Sequence, residues 1–141
     1  MEGINMGIQF GTDEWVKALA AELNNSPDYA KAAEKWEGDF YFIIDAGDGF
    51  AEDTYLYMDL WHGKCREAYK ADDPAAKATE FELRAPVATW KGVMAKKIDP
   101  IKGIMTKKLK MKGPMMKVMK SPKAAIELVE ACTRLDTEWP S

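Results

Sequence analysis

The chain reads as an α+β domain in which helices cover one face of a sheet. Three observations predict this. Stretches such as Tyr55–Trp61, Ala78–Arg84 and Lys107–Lys112 alternate apolar and polar residues with the period of two expected of half-buried strands. Elsewhere apolar residues recur every three or four positions, as Trp15, Leu19 and Leu23 do, which is the stripe of an amphipathic helix. The segments also come in a segregated order: two helices, a three-strand meander, two strands separated by helices, then helices.

Each element has its own local cause. Thr12 caps a first helix, with Asp13 and Glu14 placed against the positive end of its dipole, and Asn24-Asn25 stops it. Ser26-Pro27 opens a second helix in cap-then-proline order; Tyr29, Ala33 and Trp36 form its inner face and Gly38 ends it. Phe40–Ile44 is aromatic and β-branched, the composition of a strand buried on both faces. A Gly/Asp-rich connection, Asp45–Asp53, leads to the strand Tyr55–Trp61, whose Leu56, Met58 and Leu60 share one face while Tyr55, Tyr57, Asp59 and Trp61 share the other. His62-Gly63 turns into a third strand, Cys65–Lys70, and Asp72-Asp73-Pro74 is a loop. In Ala78–Arg84, Thr79, Phe81 and Leu83 point inward. Pro86 opens a helix carrying Val87, Trp90 and Met94, and Asp99-Pro100 caps a short one carrying Ile101, Ile104 and Met105. Lys107–Lys112 is a strand with Leu109 and Met111 inward. Gly113-Pro114 then begins a short Met-rich helix, and Ser121-Pro122 caps a last helix with a broad apolar face from Ala125 to Leu135.

At 141 residues the chain is expected to form one domain, residues 12–136, with residues 1–11 as an extension and 137–141 as a tail. Its 47% hydrophobic and 30% charged residues are those of an ordinary globular protein. Cys65 and Cys132 stand alone, without metal or CxxC spacing. Together with an N-terminus that lacks a signal-peptide pattern, they imply a reducing cytoplasm. No window reaches the roughly 18 apolar residues that a membrane-spanning helix needs.

The distribution of two residue types is unusual. Six of the nine methionines fall between Met94 and Met119. Eleven of the twenty basic residues lie between Lys91 and Lys123, where Asp99 is the only acid, so this segment carries +10 and the remainder −13. Methionine is unbranched and polarizable and suits surfaces that accept variable apolar shapes. The lysines either coat the outside of short elements or form a docking face for an anionic lipid surface. Nucleic acid is disfavoured, because the chain is acidic overall and the lysine run has no aromatic interleaving.

From Ala78 onward the sequence resembles the sterol carrier protein type 2 (SCP2-like) family. The residues that carry the resemblance are the alternating strand Ala78–Arg84, the turn Lys97-Ile98-Asp99-Pro100, the lysine-bearing strand Lys107-Lys-Leu-Lys-Met-Lys-Gly113 and the helix Pro114-Met-Met-Lys-Val-Met119. The resemblance spans roughly Thr12 to Leu135; Lys107 stands where many members have glycine, and Pro114 where an acidic residue is common. It implies a mixed five-stranded sheet covered on one face by helices and enclosing an apolar tunnel. The activity it implies is non-catalytic binding and transfer of a lipid-like ligand (sterol, fatty acid or acyl chain), without a cofactor. The alternative it leaves is an accessory module that presents an apolar or acyl-thioester substrate to a separate partner enzyme.

Within that frame the expected tunnel lining is Phe81, Trp90, Met94, Ile101, Met105, Met111, Met115 and Met119. The same methionines in a generic chain would only fill a core. The expected contact with an anionic membrane surface runs through Lys107, Lys108, Lys110, Lys112, Lys117 and Lys120. Catalytic readings have less behind them. GxSxG, GxGxxG and P-loop motifs do not occur, and His62, the only histidine, reads as a turn residue. Asp45, Asp48, Glu52 and Asp53 lack the ligand alternation of a calcium loop and read as solvated hairpin acids. Tyr55, Tyr57 and Asp59 share a strand face and suggest a small isomerase as a further alternative, against the simpler reading of a partly polar second sheet face.

Overall fold

A computed structural model describes residues 7–140. It begins with a short strand β1 (Ile8–Gln9), followed by α1 (Asp13–Asn24) and α2 (Pro27–Ala32). Thr12 and Ser26 cap these helices as expected: their hydroxyls accept from the Trp15 and Tyr29 N–H groups, each at 3.1 Å. The strands β2 (Glu37–Ile44), β3 (Thr54–Trp61) and β4 (Lys64–Lys70) form the meander. After β5 (Phe81–Ala85) come α3 (Val87–Met94), α4 (Pro100–Met105), β6 (Lys110–Lys112), α5 (Met115–Met119), α6 (Pro122–Thr133) and β7 (Thr137–Glu138).

The sheet has five strands in the order β4-β3-β2-β5-β6, and it is mixed: β2 runs parallel to β5, and every other neighbouring pair is antiparallel. The inward faces of β2, β3 and β5 pack under the helices in the main core, with Phe40, Leu56, Met58, Leu60, Phe81 and Leu83 all buried. The opposite face carries a smaller cluster of Tyr41, Ile43 and Tyr57, which explains why β2 reads as apolar on both sides. Among the described residues no α-helix covers this second face; what lies over it includes the single 3-10 turn Pro74–Ala76. A strap from residue 71 to 80 crosses it: the Tyr41 hydroxyl donates to the Pro74 carbonyl at 3.2 Å, and the Lys77 ammonium lies 4.3 Å from the centre of the Tyr57 ring.

Three local expectations need correction. The second helix stops at Ala32, not at Gly38, and Trp36 lies beyond it. There the Trp36 indole packs on Phe40 and Phe81, with centroids 5.9 and 5.4 Å apart, and donates to the Gly38 carbonyl at 3.0 Å. Tertiary burial of the indole outweighs continued helical spacing. Next, only residues 110–112 of the lysine-rich alternation pair with the sheet. The Leu109 N–H donates back to the Gly103 carbonyl at 3.0 Å, and Lys107 adopts a left-handed φ of 63°. Third, Ser121 opens α6, yet its side chain makes no capping hydrogen bond. At the two ends, residues flanking 12–136 pack onto that domain. β1 and β7 pair in parallel, and Phe10 packs on Trp15 and Trp139 with centroids 5.0 and 4.6 Å apart. Two-residue strands have no readable period, so these segments read as an extension and a tail; residues 1–6 and 141 lie outside the described residues.

Candidate functional site

Between the inward face of the sheet and the helices lies a cavity of about 100 Å³. Its floor is Phe40 of β2, Leu60 of β3, Leu83 of β5 and Met111 of β6. Tyr29 and Trp36 close one side, Trp90 and Val93 of α3 another, and Ile104, Leu109 and Val118 the edge beside α4 and α5. The roof is α6, through Ser121, Ala124, Ala125, Leu128 and Val129. Alanines at 124 and 125 keep this roof thin where leucine would fill the space. A second cavity of about 40 Å³ lies toward the other end of β2 and β3, against Phe42, Ile44, Leu56 and Met58. Trp90 and Leu128 line both cavities and so stand between them. Trp90 is pinned, because its indole N–H donates to the Ile43 carbonyl at 3.1 Å.

The lining is hydrocarbon almost throughout, and no charged side chain lines either cavity. Cys132 borders the smaller one, where burial pushes its thiol up to about 12, so it stays protonated and behaves as a small apolar group.

Of the eight expected lining residues, Trp90 and Met111 line the larger cavity, and Trp90 and Met94 the smaller. Phe81 is fully buried one layer behind, stacked on Phe40 with centroids 4.8 Å apart. Ile101 and Met119 are half-buried against the core but outside the lining. Met105 and Met115 do not line it: they point outward, 66% and 44% exposed, as does Met116 at 66%. α4 and α5 are each only one to two turns long, and the large side chains they bury are Ile104 and Val118, with Ile101 and Met119 half-buried beside them. Sequence reasoning missed Leu60, Leu83 and the α6 residues as lining, although the strand alternation had already turned Leu60 and Leu83 inward.

Gly113 lets the chain turn tightly from β6 into α5. Its φ is 129°, and a Cβ there would sit 2.6 Å from the Glu80 carbonyl oxygen. α5 is then held down by Lys117. The ammonium donates to both Glu80 carboxylate oxygens at 3.1 Å and to the Glu37 carbonyl, and it lies 5.2 Å from the centre of the Trp36 ring. Lys117 is therefore a half-buried latch, not a member of an outward lysine face, whereas Lys107, Lys108, Lys110, Lys112 and Lys120 are exposed.

The residues behind the alternative chemistries are engaged in structure. Asp59 accepts from the Arg66 guanidinium at 3.0 and 3.2 Å, the Tyr57 hydroxyl donates to Asp39 at 3.0 Å, and Tyr55 accepts from Arg84 at 3.3 Å. Burial, reinforced by the bond to Asp39, raises the Tyr57 hydroxyl well above the ordinary tyrosine range. Arg84 also bridges Asp45 and Asp53 at 3.2 and 3.4 Å, which neutralises the acidic loop from one side. His62 occupies the β3–β4 turn at a φ of 51°, its ring 2.6 Å from the Glu37 carboxylate.

Comparison with known proteins places this architecture. A crystal structure of sterol carrier protein 2 superimposes with a TM-score of 0.80 at 29% identity, covering 89% of this chain and 98% of that one. The solution structure of a conserved hypothetical protein from Thermus thermophilus, described as a candidate sterol carrier protein, gives a TM-score of 0.83 at 29% identity and covers 100% and 99% of the two chains. Sterol carrier protein 2 from Yarrowia lipolytica shares the fold at a TM-score of 0.57 and 21% identity, covering 83% and 88%. No curated protein sequence matches. The sequence model of the SCP-2 sterol transfer family matches residues 16–125, which hold the five-stranded sheet, most of α1, α2 to α5 and the first turn of α6. The chain belongs to the SCP-2 sterol transfer family.

Proposed function

We propose that this protein binds a lipid-like molecule between its sheet and its C-terminal helices and transfers it without converting it. The observation that carries this reading is the hydrocarbon-lined cavity under α6, in a chain whose family is one of lipid binding. Burying one methylene contributes about 0.8 kcal/mol, so a long chain is held without strong polar contacts.

A cavity of about 100 Å³ is well below the roughly 300 Å³ at which small-molecule pockets begin. A full-length chain is accommodated by joining the two cavities. Trp90 is fixed by its hydrogen bond, so the partition that yields is Leu128, which is only half-buried. The roof gives way at the short α5 and the uncapped start of α6. The exposed lysines around β6, together with Met105 and Met116, meet an anionic membrane surface during transfer, each lysine adding about 1 kcal/mol near such a surface. A cytoplasmic location suits the two unpaired thiols, Cys65 and Cys132, both buried.

The test is gentle purification followed by native mass spectrometry and organic extraction, with titration of the stripped protein by apolar fluorescent probes. A co-purifying lipid and saturable probe binding are expected. Failure of any apolar probe to bind the folded protein would overturn the carrier reading.

A further inference from the structure

We propose that Asp39, on the face of the sheet away from the cavity, is a positioning residue for lipid exchange: it fixes Glu80, and through Glu80 it holds α5 closed. The strap over that outer face and the roof of the cavity then share one anchoring residue. This rests on the carrier reading and on α5 as the part of the roof that yields.

Asp39 stands in a place where a carboxylate is costly. In the register of the sheet it lies opposite Asp59, and Asp59 lies opposite Glu67, so three acids form a row across β2, β3 and β4. Like charges directly opposite one another destabilise a sheet. Two of the three are answered by cations: Arg66 pairs with Asp59 at 3.0 Å and Lys77 with Glu67 at 3.7 Å. Among the described residues no cation pairs with Asp39, whose oxygens accept from two neutral donors instead, the Tyr57 hydroxyl at 3.0 Å and the Glu80 N–H at 2.8 Å. An ionised acceptor makes both bonds stronger than a neutral one would.

Glu80 is where the two faces of the sheet meet. It is the last residue of the strap, and β5 begins at the next position. Asp39 holds its N–H from the outer face, while its carboxylate takes the Lys117 ammonium of α5 at 3.1 Å. Its surroundings leave it little room. A Cβ at Gly38 would lie 2.8 Å from the Glu80 carboxylate, and one at Gly113 would lie 2.6 Å from its carbonyl oxygen. The strap is tied to the same point: Lys77 lies over the Tyr57 ring, and the Tyr57 hydroxyl steadies Asp39. Loss of Asp39 frees the Glu80 backbone, and the carboxylate that Lys117 grips moves with it. Lys117 keeps its bond to the Glu37 carbonyl, so the latch weakens without disappearing.

The experiment follows release of a pyrene-labelled fatty acid to excess phosphatidylcholine vesicles by stopped flow. It compares wild type, Asp39→Ala, Asp39→Asn, Lys117→Met and the double variant Asp39→Ala with Lys117→Met. Asparagine keeps an acceptor for the Glu80 N–H, so Asp39→Asn should release at close to the wild-type rate. Asp39→Ala should release about threefold faster with unchanged affinity, and Lys117→Met about fivefold faster, the full worth of a pair one-third exposed. The double variant should be no faster than Lys117→Met alone, because both substitutions act through one contact. Amide hydrogen exchange in Asp39→Ala should quicken in α5 and stay unchanged in α1. If Asp39→Ala does not fold, Tyr57→Phe removes only the hydroxyl that steadies Asp39 and should release about twofold faster, again with no added effect beside Lys117→Met. Roughly fifteenfold acceleration in the double variant, the product of independent effects, would overturn the proposal and leave Asp39 a structural residue. Equal acceleration by Asp39→Ala and Asp39→Asn would do the same. Wild-type release from Asp39→Ala beside fast release from Lys117→Met would refute the coupling and spare the latch. Wild-type release from Lys117→Met would remove both while the carrier reading stands, and that reading falls with them only if the folded wild type binds no probe.

Discussion

The floor and the roof of the cavity are built on different principles. The floor is a hydrogen-bonded sheet tiled with aromatic rings: Phe40 stacks on Phe42 and Phe81 with centroids 4.9 and 4.8 Å apart, and Trp36 closes the row. Rings in such an array have few rotamers and many contacts, so the floor sets a fixed shape. The roof is made of short helices bearing small or flexible residues, with α5 tied to the sheet by one lysine. Short elements with few buried residues open at lower cost than core strands. The contrast assigns shape to the floor and access to the roof, and it can be broken by substitutions on either side.

The largest effect is expected on the floor. Phe81→Ala removes a fully buried ring from the centre of the stack and should cost about 3–5 kcal/mol in urea unfolding. Leu128→Ala in the roof should cost about 2 kcal/mol, since this leucine is only half-buried, and it should merge the two cavities and raise affinity for longer apolar probes. Equal destabilisation by the two substitutions, with unchanged probe length preference, would erase the distinction between floor and roof.

How much of this was legible in the sequence follows from the same contrast. The sheet face was readable, because a period of two leaves no choice: once Leu83 points inward so does Phe81, and Leu56, Met58 and Leu60 follow together. The helix caps Thr12, Ser26 and Asp99 were readable from residue type and a following acid or proline. The inward positions of α4 and α5 were not. In a helix of five or six residues a methionine and its neighbour differ by about 100° of rotation, and only the neighbouring elements decide which turns in. Of the clustered methionines, Met111 and Met94 border the cavities, while Met105, Met115 and Met116 turn outward. The role of Lys117 was hidden in a run of chemically identical lysines, because Glu80 and Glu37 approach it only through the fold.

The latch gives a smaller effect that sharpens the comparison. Lys117 and Glu80 are each about one-third exposed, so Lys117→Met should cost no more than about 1 kcal/mol in stability. Its signature is kinetic: faster uptake and release of a fluorescent lipid in stopped-flow mixing, with an equilibrium affinity close to wild type. High salt should speed the wild type toward the variant and leave the variant unchanged. Equal rates at low salt would mean that α5 is not the moving part.

The smallest effect on stability is expected at the exposed methionines of α4 and α5. Met105 and Met116 are each two-thirds exposed, so replacing both with serine removes little buried surface and should leave the unfolding free energy within about 0.5 kcal/mol of wild type. Affinity for a soluble apolar probe should also be unchanged, because neither residue touches the cavity. The change should appear only at a surface. Two exposed thioethers on a lysine-rich segment can insert into the headgroup boundary of an anionic bilayer while the exposed ammonium groups stay in water. Binding to phosphatidylserine vesicles by co-sedimentation should therefore weaken in the double variant at every salt concentration, whereas charge reversal at Lys108 and Lys110 should flatten the salt dependence itself. Separating the two responses tests whether methionine enrichment here serves the cavity or contact of the roof with a membrane surface. Unchanged vesicle binding accompanied by weaker probe affinity would return these methionines to the interior and undo the division between floor and roof drawn above.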